Sequence, residues 1–162
     1  MLSVMNLSIL GGDFLHFWDW HPYHESRFGN IAELLKVRRF EIRGRMNTRD
    51  LYPRTPCSVY VVLKIADNYS GFGDVAIEAV VGVVGQEPSR RSICFDEFLS
   101  KDRGRTRIQD VWMEIELGEF FNEGGLIDGD EIKMSALESH EQLHWKCGLI
   151  IQGIEIRPTK IR

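Results

Sequence analysis

FWDWHPYH, residues 17–24, holds two of the chain's four tryptophans beside a phenylalanine, a tyrosine and two histidines. Indole rings offer flat apolar faces, so the segment either buries them or stacks a ligand on them. Alternation along a strand decides which side chains travel together: Phe17 and Asp19 go to one face, Trp18 and Trp20 to the other. Of the pair, Trp20 is read as the more core-like. Trp112 and Trp145 lie in two further apolar stretches where packing accounts for them, and Trp145 and Lys146 also follow the connection after Glu138.

Residues 140–144, HEQLH, fit the zinc-peptidase pattern of two histidines one helical turn apart, with a glutamate as general base. That geometry needs a helix, and the strand-like stretches EIKMSAL before it and HWKCGLII after it leave room only for a connection. His21, His24 and Glu25 read as solvated loop residues rather than as metal ligands. DGDE, residues 128–131, lacks the other ligands of a calcium loop and reads as a turn. Arg38, Arg39, Arg43 and Arg45 form a solvated strand face, and Arg103, Arg105 and Arg107 lie in a basic loop. A net charge of −4 speaks against nucleic-acid binding by bulk electrostatics. There is no Gly-rich phosphate loop, nucleophile elbow or carboxylate pair at glycosidase spacing, so neither catalysis nor a cofactor or metal is expected.

The elements that must position these residues have a period of two. In FEIRGRMN, Phe40, Ile42 and Met46 share one face while Glu41, Arg43 and Arg45 share the other. VWMEIEL repeats the pattern, with Val111, Met113, Ile115 and Leu117 inward and Glu114 and Glu116 outward. SVYVVLKIA and VAIEAVVGVVG are apolar on both faces and rich in β-branched residues, as central strands are. With LSIL, RSICF, EIKMSAL and GLIIQGIEIRP there are eight or nine short strands, separated by turn signals at DNYSGFGD and NEGGLIDGD. QEPSRRS and SKDRGRTRIQ read as mobile polar loops. Only NIAELLKVR reads as a helix, with Asn30 as N-cap, Glu33 at the capping-box position and Ile31, Leu34 and Leu35 as its apolar stripe. The expected fold is all-β: a jelly-roll-like antiparallel β-sandwich of two sheets with one short helix, a single domain over residues 1–162. No apolar run reaches the roughly 18 residues of a membrane helix, and no signal peptide is read at the amino terminus. Cys57, Cys94 and Cys147 contain no CxxC pair and suit reduced thiols in the cytosol, with intermolecular bridging left open.

The ordered series FWDW, IAELLKV, FEIRGRMNT, SVYVVLKIAD, VWMEIELGEFFNEGG and HWKCGLIIQGIEIRP resembles the plant phloem lectins, the phloem protein two family that includes the tobacco agglutinin. With no leading F-box domain read in the chain, it looks most like the small cucurbit phloem lectins. The resemblance implies a non-enzymatic, often dimeric lectin of phloem sieve elements and sap, active in defence. Its expected partners are chitin oligomers and the N-acetylglucosamine (GlcNAc) core of N-glycans, with RNA as a further partner. It implies an aromatic pair at Trp18 and Trp20 and acidic sugar-site residues at Glu131 and Glu138. Gly11 stands where the tobacco-type lectins have another tryptophan, so Phe14 or Phe17 would have to supply that surface. A pyranose needs an aromatic platform under its C–H face and acceptors around its edge. Trp18 is the expected platform, with Asp19 and Glu138 as acceptors and Phe17, Trp20, Glu131, Trp145 and Lys146 completing the candidate set. The alternative is an RNA-binding or scaffolding phloem protein whose sugar site is weakened.

Overall fold

The alternating stretches pair into two antiparallel sheets. The computed structural model describes residues 2–10, 12, 16–22, 29–73, 75–97, 112–123, 130–138 and 145–159. The strands, in chain order, are β1 (Leu2–Ser3), β2 (Ser8–Ile9), β3 (Trp18–Pro22), β4 (Asn30–Leu34), β5 (Glu41–Asn47), β6 (Thr55–Ser70), β7 (Ile77–Val83), β8 (Ser89–Ile93), β9 (Met113–Asn122), β10 (Glu131–Glu138) and β11 (Cys147–Pro158). One sheet runs β3-β4-β11-β6-β9 with β1 also paired to β11, and the other runs β2-β5-β10-β7-β8. The result is the expected jelly-roll-like sandwich.

Alternation sorts the side chains as read from the sequence. Ile42, Met113, Ile115 and Leu117 are buried, while Arg43 and Arg45 are exposed. Cys57, Val59, Val61 and Leu63 of β6 meet Ala79 and Val81 of β7 in one core cluster. Burying each large aliphatic side chain contributes about 1.5–3 kcal/mol, so this layer of side chains is what holds the sheets together. A register shift between Ile151 and Gly153 lies where β11 hands its edge from β4 to β1: β4 pairs at Ile150 and Ile151, β1 at Gly153 and Ile154. All three cysteines are free.

The helix read at NIAELLKVR is instead the strand β4, and residues 95–97 carry the helical turn, with 3-10 turns at Val4–Asn6 and Thr48–Asp50. Tertiary pairing overrides the local propensity. β4 fills the gap between β3 and β11, where Ala32 and Leu34 join the core and Ile31 is covered on the opposite face. Two loop assignments also shift. β6 continues through Asp67–Ser70, read as a turn, and β8 begins at Ser89 inside the stretch read as a polar loop.

At one end of the sandwich Phe40, Phe72 and Phe95 meet with ring centroids 5.6–5.7 Å apart, and Tyr69 stacks on Phe72 at 5.5 Å. The Tyr69 hydroxyl donates to Asp96 Oδ1 at 2.6 Å. Burial, reinforced by the Asp96 carboxylate, pushes this phenol far above its ordinary range. A folded-state value above the unfolded one gives a contribution fully present below pH about 10 and lost as pH rises beyond it. Tyr69→Phe is therefore expected to cost about 1–2 kcal/mol near neutrality. Urea unfolding at pH 8 and pH 10.5 should also show the variant losing less stability than the native chain over that interval.

Candidate functional site

The candidate residues separate into two groups at different places on the sandwich. The first lies at the end closed by the aromatic cluster. Trp18 starts β3 opposite Leu34, and its ring is 1% exposed within the core cluster. Its Nε1 has no hydrogen-bond partner among the described residues. A ring in that position presents no face to a ligand, so the expectation of an exposed platform at Trp18 is corrected: both indoles face inward, and Trp18 is the more deeply placed. Asp19, exposed on the outer face opposite Glu33, points away from the tryptophans and cannot share a binding face with them.

Glu138 and Lys146 are corrected in the same way. They form an ion pair of 2.8 Å with both side chains fully buried. Lys146 Nζ also donates to the Arg38 carbonyl at 2.7 Å, and Glu138 Oε1 accepts from the Phe40 backbone N–H at 3.1 Å. Backbone bonds between Val37 and Lys146 and between Glu138 and Phe40 run alongside. The pair clamps the segment 37–40 to the ends of β10 and β11. Phe17 does similar work through its carbonyl, which accepts from Leu35 and Lys36 N–H. Trp145 differs: it is 49% exposed, with Lys36 Nζ 5.5 Å and the Arg38 guanidinium 4.8 Å from its ring centre. Two cations already occupy the π surface of the most exposed indole. The start of β11 beside it admits no larger residue than glycine, because Gly148 has φ +82° and a Cβ there would collide with the Tyr69 backbone.

The second group lies where the sheet edges β3 and β2 face each other. Trp20 is half-buried, and its Nε1 donates to the Gly12 carbonyl at 2.9 Å, which fixes the ring. It borders a cleft of about 560 Å³ with Met5, Leu7, Ser8, Ile9 and Gly12. Met5, Leu7 and Ser8 also line an adjoining groove of about 630 Å³ that runs to Arg43, Arg45, Lys133 and Ser135 on the outer face of the five-stranded sheet. Gly44, on the inner side of β5, lets the amino-terminal segment pack close: a Cβ there would stand 2.9 Å from Leu7 Cδ2. Glu131 is placed at this rim by a 3.5 Å ion pair with Arg45. Sequence reasoning missed Met5, Ser8, Lys133 and Ser135. The alternation of EIKMSAL puts Lys133 and Ser135 outward, but only strand register sets them beside Arg45 and Arg43.

Gly11, Phe14, His24, Glu25, Arg103, Arg105, Arg107, the HEQLH stretch and residues 128–129 lie outside the described residues. Among the described residues no cluster of three or more His, Cys, Asp or Glu side chains is arranged to hold a metal, and no helix is long and apolar enough to cross a membrane.

Residues 1–158 match the family model described as phloem protein 2. The chain belongs to that family. F-box protein PP2-B10 of Arabidopsis thaliana is 62% identical over 167 residues, covering 99% of this chain and 60% of that protein. F-box protein SKIP3 of the same plant is 48% identical, covering 98% of this chain and 56% of that protein. The chain thus spans about three fifths of the length of these relatives, which are named F-box proteins. Among solved structures, TmCBM61 in complex with β-1,4-galactotriose is similar at 11% identity and a TM-score of 0.44, over 94% of this chain and 87% of that one.

Proposed function

We propose that this phloem protein 2 domain is a non-catalytic lectin that binds GlcNAc oligomers and the GlcNAc core of N-glycans in the cleft beside Trp20. The observation that carries the reading is the indole itself, half-buried, tethered through Nε1 to Gly12 and bordering a cleft of about 560 Å³. A tethered ring costs little further entropy on binding, and its uncovered surface suits the C–H face of a pyranose. The choice of GlcNAc follows the family resemblance. Single-domain folding over residues 1–162, dimerisation and residence in the cytoplasm of sieve elements belong to the same proposal.

Titration calorimetry with chitotriose tests it. Trp20→Ala is expected to weaken binding by about tenfold or more through loss of stacking and apolar contact. Trp145→Ala should leave affinity within about twofold, because its ring is shared with Lys36 and Arg38. The reverse ranking would move the site to the Trp145 end. Loss of neither affinity would remove aromatic stacking from the account.

A second reading is favoured by the family members named F-box proteins: the domain serves as the partner-recognising part of such a protein. Capture of glycosylated but not deglycosylated partners would unite the two readings. Salt-sensitive RNA binding without any response to chitotriose would favour the RNA-binding or scaffolding alternative.

A further inference from the structure

The groove on the outer face of the five-stranded sheet has an electrostatic character unlike that of the whole chain. Net charge is −4, yet among the described residues the groove is lined by Arg43, Arg45 and Lys133 and by no carboxylate. Register sharpens the contrast: Lys133 of β10 is directly opposite Arg45 of β5, so two like charges stand side by side. Like charges at opposed positions repel, and such a pair is relieved by a counter-ion placed between them. Arg43 and Arg45 reach Glu41 and Glu131 at 3.2 and 3.5 Å, but both pairs are partly exposed to solvent and therefore weak, the Arg45–Glu131 pair the more so. Lys133 has no carboxylate partner among the described residues.

We propose that this groove binds an acidic saccharide, with a ring carboxylate or sulfate held between Arg45 and Lys133. This rests on the sugar-binding reading above and extends it to a ligand class. The groove's volume of about 630 Å³ falls in the range of small-ligand sites. Val80 offers apolar contact for ring C–H groups, and the Ser135 hydroxyl can exchange hydrogen bonds with sugar hydroxyls. Arg45 matches an oxyanion through its planar fork, while Lys133 adds a point charge. Met5, Leu7 and Ser8 are common to this groove and the Trp20 cleft, so an oligosaccharide can run from the indole to the cations.

The test compares chitotriose, trigalacturonate and 6-O-sulfated chitotriose by calorimetry at low and high salt, with native protein, Lys133→Gln and Trp20→Ala. At least one acidic ligand is expected to bind about tenfold more tightly than chitotriose at low salt. Lys133→Gln should remove that advantage, bringing the acidic ligands to the level of chitotriose, and about 1 M salt should do the same by screening. Preference for trigalacturonate identifies a carboxylate ligand and preference for the sulfated trimer a sulfate ligand. Chitotriose binding with no acidic preference, or a preference indifferent to Lys133→Gln, overturns the inference while the lectin reading stands. Failure of all three saccharides overturns both, and Lys133-dependent binding of polyphosphate or RNA in that case would show that the groove takes anions other than sugars.

Discussion

Lys146→Met is expected to lower the unfolding free energy by about 3–5 kcal/mol, because it strands the Glu138 carboxylate inside the sandwich without its cation. Both side chains of the pair are fully buried, and Lys146 Nζ lies 2.8 Å from Glu138 Oε1 and 2.7 Å from the Arg38 carbonyl. Removing the cation also deprives the Arg38 carbonyl of its Lys146 donor, while the backbone bonds of the segment 37–40 to Glu138 and Lys146 remain. The double variant Lys146→Met/Glu138→Leu is expected to recover at least half of the loss, since no charge is then left unpaired. It will not recover all of it, because the Phe40 N–H and the Arg38 carbonyl lose their side-chain partners. Urea unfolding of the two single variants and the double variant gives the coupling directly. A cost below about 1 kcal/mol for Lys146→Met, combined with lost sugar affinity, would return these two residues to the role of ligand contacts.

Trp18→Ala is expected to destabilise the fold by about 3–5 kcal/mol, the range for deleting a buried aromatic ring. The ring is 1% exposed and packed in the core cluster on the inner face of β3. Any loss of saccharide binding in that variant would therefore follow from unfolding. Trp18→Phe separates the two effects. It keeps most of the apolar volume and removes an indole N–H that has no partner among the described residues, so the lost packing is partly offset by relief of a buried, unsatisfied donor. The phenylalanine variant should stay folded and bind chitotriose within about twofold of the native chain, whereas Trp20→Ala should not. A folded Trp18→Phe protein that fails to bind would place the platform at Trp18 after all, with an opening of β3 needed to expose it.

The contrast between Trp18 and Trp20 shows how far residue pattern reaches. Period-two alternation correctly put both indoles on one face, with Asp19 on the other. It could not rank their burial, because that depends on what lies opposite. Trp18 meets the filled end of the sandwich, whereas Trp20 meets the gap between the edges β3 and β2, lined by Met5, Leu7, Ser8, Ile9 and Gly12. Glu138 was misjudged for the same reason. A carboxylate beside a loop reads as solvated until a lysine eight positions later is seen folded over it.

What the sequence determined by itself was the sandwich and the facing of its strands, since alternation of apolar and polar residues is a local property that survives without knowledge of partners. FEIRGRMN, VWMEIEL and EIKMSAL each specify their inner and outer faces in this way. Only the tertiary structure decided that residues 30–34 pair as β4 rather than coil, because the free edges of β3 and β11 supply the hydrogen bonds that outweigh helical propensity. It alone brought Lys133 opposite Arg45 and the amino-terminal segment against Gly44. Those contacts join residues far apart in the chain, and their register depends on every strand between them.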